Sequence, residues 1–280
     1  MSPVRMFRRL LIALALLALT AAMVQAQAPQ AQPSKPFEPE YGRPGKDVVW
    51  VPTSPALVEK MLTIGGVTPA DVVYDLGSGD GRTVIAAAKR GARAVGIEFD
   101  PDMVELSKAN AAKEGLADKA AFMKADLFQT DFSEATVITM FLLTDINLRL
   151  RPRILDLKAG TRIVTNTFRM GEWQEDGSAT VEGDCTSWCT AYLWIVPAKV
   201  DGPWALGNGT LTFKQDFQML SGSLEAGGTT TAIAAGRLRG DEIDFTVGET
   251  RYTGKVTGNT ISGTAATGAK TAPWTATLVQ

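Results

Sequence analysis

The sequence predicts an α/β fold, a mostly parallel sheet with helices on both faces, followed by a small all-β antiparallel domain. Three observations carry that reading. From about residue 72 to residue 167, β-branched apolar runs alternate with amphipathic helical segments. A glycine-rich turn, Gly77-Ser78-Gly79-Asp80-Gly81, falls at the first strand-to-helix junction. After residue 200 the helical pattern stops, and short alternating runs separated by Gly and Thr take over.

The N-terminus reads as a targeting segment. Arg5, Arg8 and Arg9 precede an apolar run from Leu10 to Met23, followed by Val24-Gln25-Ala26. This is the pattern of a secretory signal peptide over residues 1–26, cut after Ala26 or Ala28. The run is short for a membrane span, which needs ~20 residues. An uncleaved inner-membrane anchor is the alternative, and the only route to membrane contact. Arg8-Arg9 hints at a twin-arginine signal, with nothing else around it in support. With the arginines on the cytoplasmic side, the remainder of the chain faces outward, periplasmic or secreted. Residues 27–46, rich in Gln, Ala and Pro, read as a flexible leader.

Residues 47–199 form the α/β domain. Val72 to Leu76 is a buried strand, and Gly81 to Arg90 a helix with Val84, Ile85 and Ala88 on one face. Ala94 to Glu98 is the second strand. Pro101 to Glu114 is a helix capped by Asp100, with Pro101 at its first position and Gly115 closing it. Ala120 to Lys124 and Val137 to Phe141 are further strands, Leu148 to Leu157 a helix, and Arg162 to Thr167 another strand. Ligands of such sheets bind outside the carboxyl ends of the strands, where strand order reverses.

Composition narrows the chemistry. Of 280 residues 45% are apolar and 21% charged, which suits a folded globular protein. A net charge of -2 gives no electrostatic case for a nucleic-acid partner. There is no histidine, which excludes His-dependent triads, His-ligated zinc and an imidazole base. Two cysteines cannot complete a four-Cys zinc site, so no metal is expected.

The sharpest signal is Asp75-Leu76-Gly77-Ser78-Gly79-Asp80-Gly81. Its glycines let the backbone turn tightly and let a ligand lie against it. The spacing is G-x-G-x-G, not the G-x-G-x-x-G of dinucleotide sites. Glu98 ends the second strand, 21 residues after Gly77, where a carboxylate can accept ribose hydroxyls. Asp126 follows the third strand in Lys124-Ala125-Asp126-Leu127-Phe128. Taken alone, Asp126 is a turn former and Asp80 a helix N-cap.

These residues resemble the class I S-adenosylmethionine (SAM)-dependent methyltransferases, whose first motif reads close to D-x-G-x-G-x-G. The resemblance covers roughly residues 47–199 and implies a Rossmann-like sheet with SAM as cofactor. It implies that Asp75, Gly77, Ser78, Gly79 and Gly81 pack against the methionine and ribose. By the same resemblance Glu98 holds the ribose, and Asp126 lies near the adenine amine with Leu127 or Phe128 beside the ring. Val51-Pro52-Thr53-Ser54-Pro55, Gly96-Ile97-Glu98 and Asn147-Leu148-Arg149-Leu150-Arg151-Pro152 further resemble small bacterial methyltransferases similar to mitochondrial protein-lysine methyltransferases. That likeness implies a lysine side chain of a protein as acceptor.

Methyl transfer from a sulfonium is an in-line displacement, which positioning and exclusion of water can drive. A lysine amine that reaches the site neutral after desolvation needs no dedicated base. The acceptor pocket is expected after the fourth strand, at Phe141-Leu142-Leu143-Thr144-Asp145. This stretch lacks the Asp/Asn-Pro-Pro-aromatic motif of base-amino and glutamine-amide methyltransferases. Asp145 and Asn147 are candidate acceptor contacts, against which stands the plainer reading of each as a cap of the helix starting near Leu148. Thr53 either reaches the methionine end of SAM or caps a helix in Pro52-Thr53-Ser54-Pro55.

Cys185 and Cys189, a lone close pair in an exported chain, read as one disulfide clasping a hairpin between the last two sheet strands. That requires a turn between them, since residues four apart on a straight strand lie ~13 Å apart. Reduced, packed cysteines are the alternative. In residues 200–280, Gly236-Arg237-Leu238-Arg239-Gly240-Asp241-Glu242-Ile243 recurs 18 residues later as Gly254-Lys255-Val256-Thr257-Gly258-Asn259-Thr260-Ile261. The repeat reads as an antiparallel meander curling into a small sandwich or partial barrel, its ends plugged by Trp204 and Trp274. Two other functions stand beside the lysine reading. One is an exported binding module that kept the fold without turnover, since SAM is made in the cytosol. The other is a small-molecule methyltransferase with Phe141 to Leu143 as its acceptor wall.

Overall fold

The computed structural model describes residues 37–183 and 185–279. The segment read as a signal peptide, and residues 27–36 of the leader, lie outside the described residues. Strands β1 (Val72–Leu76), β2 (Arg93–Glu98), β3 (Ala120–Lys124), β4 (Val137–Met140) and β5 (Arg162–Asn166) pair in parallel. With β6 (Gly177–Thr180) and β7 (Thr190–Ile195) they make a seven-stranded sheet in the order β3-β2-β1-β4-β5-β7-β6. Strand β7 runs antiparallel to both its neighbours, β5 and β6. Strand order reverses between β1 and β4, so a crevice opens at their carboxyl ends. Strand β6 has no apolar run, only a half-exposed Gly-Ser-Ala-Thr, so its bounds escape the sequence pattern, although with β7 it makes the hairpin expected around the two cysteines.

Alternation along the strands divides the core. Val73, Ala94 and Val137 meet helices α1 (Pro55–Ile64), α2 (Arg82–Lys89) and α3 (Pro101–Lys113) through Val58, Leu62, Val84 and Val104. Tyr74, Leu76, Val95 and Ile97 point the other way, to α4 (Thr144–Leu155) through Ile146, Leu150 and Ile154. Two helix starts correct the sequence reading. Ser54, not Thr53, caps α1, its Oγ accepting the Leu57 N–H at 3.3 Å with Pro55 behind it. Helix α4 begins at Thr144 rather than near Leu148, so Asp145 and Asn147 lie inside its first turns and cap nothing. Leu143 holds the N-cap position and offers no side-chain acceptor, which removes the usual sequence signal.

The C-terminal strands close completely, where a sandwich or partial barrel was expected. Strands β8 (Gly202–Leu206), β9 (Gly209–Asp216), β10 (Met219–Ala226), β11 (Thr229–Arg239), β12 (Glu242–Val247), β13 (Thr250–Thr257), β14 (Thr260–Thr267) and β15 (Lys270–Leu278) form an eight-stranded barrel sealed by β15 against β8. Every hairpin turns on two residues, and six of the seven turns begin with a glycine at positive φ, such as Gly240 (62°) and Gly258 (56°). Trp204 and Trp274 lie in the barrel core with Leu211, Phe213, Phe245 and Ile261. Their indole N–H groups donate to the Val200 and Thr253 carbonyls at 2.8 and 3.0 Å, so core packing is their role.

The seventh turn begins with Phe217 at φ 51°. Its ring stacks on Trp173 at 5.8 Å beneath the Arg151 guanidinium. Gln218 donates to the Gln174 carbonyl at 2.7 Å, and Arg237 pairs with the buried Asp176 at 2.7 Å. These contacts dock the barrel on the end of the sheet that carries Trp173 and β7.

Candidate donor and acceptor site

The first strand-to-helix turn lies in the crevice between β1 and β4. Gly77, Gly79 and Gly81 all have left-handed backbone, at φ 78°, 54° and 82°. Two of them also lack room for a side chain. A Cβ on Gly79 would sit 2.6 Å from Trp50 Nε1, and one on Gly81 would sit 2.7 Å from the Phe122 ring. Gly81 occupies the N-cap position of α2, so Asp80 precedes the cap; it accepts the Arg82 N–H at 3.3 Å and pairs with the Arg82 guanidinium at 2.6 Å. Helix α3 holds the turn from beneath: Ser107 Oγ donates to the Gly79 carbonyl at 2.8 Å and Asn110 Nδ2 to the Asp80 carbonyl at 3.1 Å.

Glu98 ends β2 with its carboxylate aimed back at this turn. Oε2 accepts the Gly79 N–H at 2.9 Å, and Oε1 accepts those of Phe99 and Asp100 at 2.8 and 3.0 Å. A carboxylate has about four acceptor positions. Three hold the backbone of two loops, and Glu98 still lines the cleft. Asp75, at the end of β1, is buried and accepts the Thr139 hydroxyl at 2.7 Å. Burial pushes its carboxyl up to about 7, the Glu98 and Asp80 carboxylates add to that, and the Thr139 and Thr83 hydroxyls oppose it.

Asp126 is both a turn former and a wall of the cleft. Its Oδ1 accepts the Phe128 N–H at 2.9 Å, and its Oδ2 takes Lys46 Nζ at 2.6 Å. The Lys46 bond first, then the Phe128 N–H, holds this carboxyl below its usual range. Lys46 also lies over the Phe99 ring at 4.9 Å. Here the leader reading needs correction. Residues 42–50 fold into a hydrogen-bonded strap, with Gly42 N–H to the Trp50 carbonyl (3.0 Å) and Trp50 N–H to the Arg43 carbonyl (2.8 Å). Arg43 pairs with Asp100 and Asp102 at 2.8 and 3.0 Å, which pins the strap over the glycine turn.

Thr53, Asp75, Gly77, Ser78, Gly79, Glu98, Asp126 and Leu127 therefore line one cleft, with Phe141 and Leu142 opposite. Gly81 stands behind it as the start of α2. Thr53 is buried and accepts Asn166 Nδ2 at 3.2 Å. The proposed acceptor contacts do not join this group. Asp145 is exposed on the first turn of α4. Asn147 is fully buried, its amide reaching the Phe168 and Arg169 carbonyls at 3.3 and 3.4 Å. The sequence reading missed Lys46 and Trp50, hidden in Pro- and Gly-rich surroundings, and Trp188, which its place between two cysteines could have flagged. Cys185 and Cys189 do form a disulfide, with Cα atoms 5.8 Å apart in the β6–β7 connection.

The cleft fits SAM on its own chemistry. Two glycines of its turn, Gly79 and Gly81, have no room for a side chain, carboxyl groups outnumber the cations Arg43, Lys46 and Arg82 along the lining of a space suited to a cationic sulfonium, and Leu127 and Leu142 offer apolar walls. Together with the strand order, this site defines a class I SAM-dependent methyltransferase. Residues 75–177 match the model of the ANTKMT methyltransferase domain. A protein-lysine N-methyltransferase of Saccharolobus islandicus is 41% identical over 152 residues, 53% of this chain and 94% of that relative. The adenine nucleotide translocase lysine N-methyltransferase of Mus musculus is 31% identical over 147 residues, 52% of this chain and 62% of that protein's length. A Salinibacter ruber structure described as an RNA methyltransferase, in complex with S-adenosyl-L-homocysteine, is 46% identical. It covers 54% of this chain and 96% of its own, with a TM-score of 0.51. The chain belongs to the ANTKMT methyltransferase family; it is an enzyme, and SAM is its cofactor.

Proposed function

We propose that this methyltransferase acts on the side-chain amine of lysine in a protein. The observation that carries the reading is the archaeal relative, matched over 94% of its length and described as a protein-lysine N-methyltransferase. SAM, when bound, supplies an electrophilic methyl group on a sulfonium. The chain's residues supply the rest. The glycine turn and Glu98 would hold and orient the nucleoside end, and the strap at residues 42–50, which lines the same cleft, would cover it. With no histidine in the chain, loss of the lysine proton falls to desolvation at the mouth of the site.

A second reading, an RNA acceptor, has one observation in its favour, the description of the Salinibacter relative. Against it stands a net charge of -2, with acids along the cleft. Incubating the full chain with methyl-tritiated SAM and separated protein and RNA fractions tests both. Lysine transfer leaves label in protein that elutes as methyl-lysine after acid hydrolysis. Label in RNA, or in protein at another residue, contradicts the lysine reading.

The enzyme is further proposed to work outside the cytoplasm. The pattern of residues 1–26 supports this, as does the Cys185–Cys189 disulfide, a bond that persists in oxidising compartments. Mass spectrometry of the protein from cells should find a mature N-terminus at Gln27 or Pro29. A chain still carrying residues 1–26 would overturn the secreted form.

A further inference from the structure

Three aromatic rings meet where Phe141 leaves the donor cleft, and none belongs to a hydrophobic core. Phe141, after β4, lines the cleft. Its ring stacks on Phe168 at 6.1 Å and meets the Trp188 edge at 5.9 Å. Phe141 and Phe168 are half-buried, and Trp188 is 38% exposed, the one exposed tryptophan among the described residues. Singly such rings would be ordinary, but three in contact outside the core make a contiguous apolar patch of the kind that marks a binding site.

The backbone beneath them is strained. Thr167 and Trp188 have left-handed conformations, at φ 61° and 55°, which β-branched and bulky residues avoid. Each is held in place by its surroundings. Thr167 N–H donates to the Thr190 carbonyl at 2.8 Å, and its hydroxyl to Asn166 Oδ1 at 2.9 Å. Asn166 reaches on to Thr53 in the donor cleft. Thr165 Oγ1 donates to the Phe168 carbonyl at 2.6 Å, and the buried Asn147 amide reaches that carbonyl and the next. The disulfide brackets Trp188. Arg169, the nearest cation along the chain, is turned away, paired with Glu175 and lying over Tyr192 at 4.0 Å.

From this convergence we propose that Phe141, Phe168 and Trp188 are the acceptor gate, and that they bind an alkylammonium chain. This rests on the lysine reading and names the residues that would enforce it. The cluster offers its outer ring surfaces to the methylene stem, while an open ring face attracts the ammonium group. Closing around the stem also strips water from it at the cleft entrance. The disulfide is the device that keeps Trp188 edge-to-face against Phe141.

The full chain, saturated with S-adenosyl-L-homocysteine, is titrated with Nα-acetyl-lysine N-methylamide and, as a control, with the norleucine analogue lacking the ammonium. Binding is followed by the Trp188 indole N–H resonance in NMR, assigned by its loss in Trp188→Phe. The lysine probe should move this resonance at millimolar concentration, and the norleucine probe should need at least tenfold more. Trp188→Ala, and separately Cys185→Ser/Cys189→Ser, should weaken the lysine probe tenfold or more and raise KM for a lysine substrate with little change in kcat. Trp188→Phe should recover most of the loss, and S-adenosyl-L-homocysteine affinity should stay within twofold throughout. Lysine methylation with a KM unmoved by Trp188→Ala overturns the gate while leaving the lysine reading intact. A norleucine response equal to the lysine response overturns the alkylammonium assignment. If the probe leaves the Trp188 resonance unmoved, the gate is excluded whatever the acceptor proves to be.

Discussion

Glu98 joins two loops through a single carboxylate and lines the donor cleft. Its three backbone partners all donate, so an amide in its place must present N–H to N–H at one of them. Glu98→Gln is therefore expected to lose donor affinity nearly as far as Glu98→Ala, a result that isothermal titration can read. Asp75 gives a second prediction at this scale. Its folded-state pKa, about 7, lies above the unfolded value of about 3.9, so the folded state binds the extra proton between these values. Its contribution to stability is full below pH ~4 and is lost as pH rises to ~7, on the order of a few kcal/mol. Asp75→Asn should flatten that part of the pH–stability curve of the ligand-free protein in urea unfolding; an unchanged slope would mean that Asp75 ionises freely. Much of this chemistry is legible in the sequence, because a glycine triplet and an acid at a fixed spacing are local features. Asp145 and Asn147 mislead for a local reason too. The N-cap position of their helix is Leu143, whose side chain cannot cap, so the start at Thr144 carries no capping signal and the polar residues after it read as the cap.

At the scale of elements, the strap over residues 42–50 is what composition concealed. Pro44 and Gly45 signal flexibility, yet Arg43, Lys46 and Trp50 find partners on α3, the β3–β4 connection and the glycine turn, all distant in sequence. No local pattern encodes such contacts. If the strap closes over the donor, Trp50→Ala should weaken S-adenosyl-L-homocysteine about tenfold, ~1.4 kcal/mol. The ligand should also slow tryptic cleavage after Lys46 in the wild type. Equal cleavage with and without ligand would show that the strap does not respond to the site. The barrel shows the opposite case. Its hairpin turns are written in glycine, but the visible 18-residue repeat is two hairpins of unequal length, turning at Gly240 and Gly258 and joined by a third turn at Gly248. Closure of the ring depends on β8 meeting β15, about seventy residues apart, and only the structure shows it.

At the scale of the molecule, the barrel is joined to the sheet by the one hairpin turn that gave up glycine. Phe217 holds an unfavourable backbone and gains a stack on Trp173, and the Asp176 side chain, only 2% exposed, is satisfied across the same joint by Arg237 and within the sheet by the Ile195 N–H. Arg237→Ala leaves that carboxylate short of a partner. It should destabilise the whole chain by about 2 kcal/mol, seen as a lower midpoint of one shared unfolding transition. Two separated transitions in the wild type would contradict a rigid joint. The central claim is that the Gly77–Gly81 turn and Glu98 form a SAM site, and calorimetric titration of residues 27–280 with SAM tests it most directly. Micromolar binding that falls tenfold or more in Glu98→Ala, ~1.4 kcal/mol or above, is the predicted result. No heat and no thermal shift at millimolar SAM would contradict it.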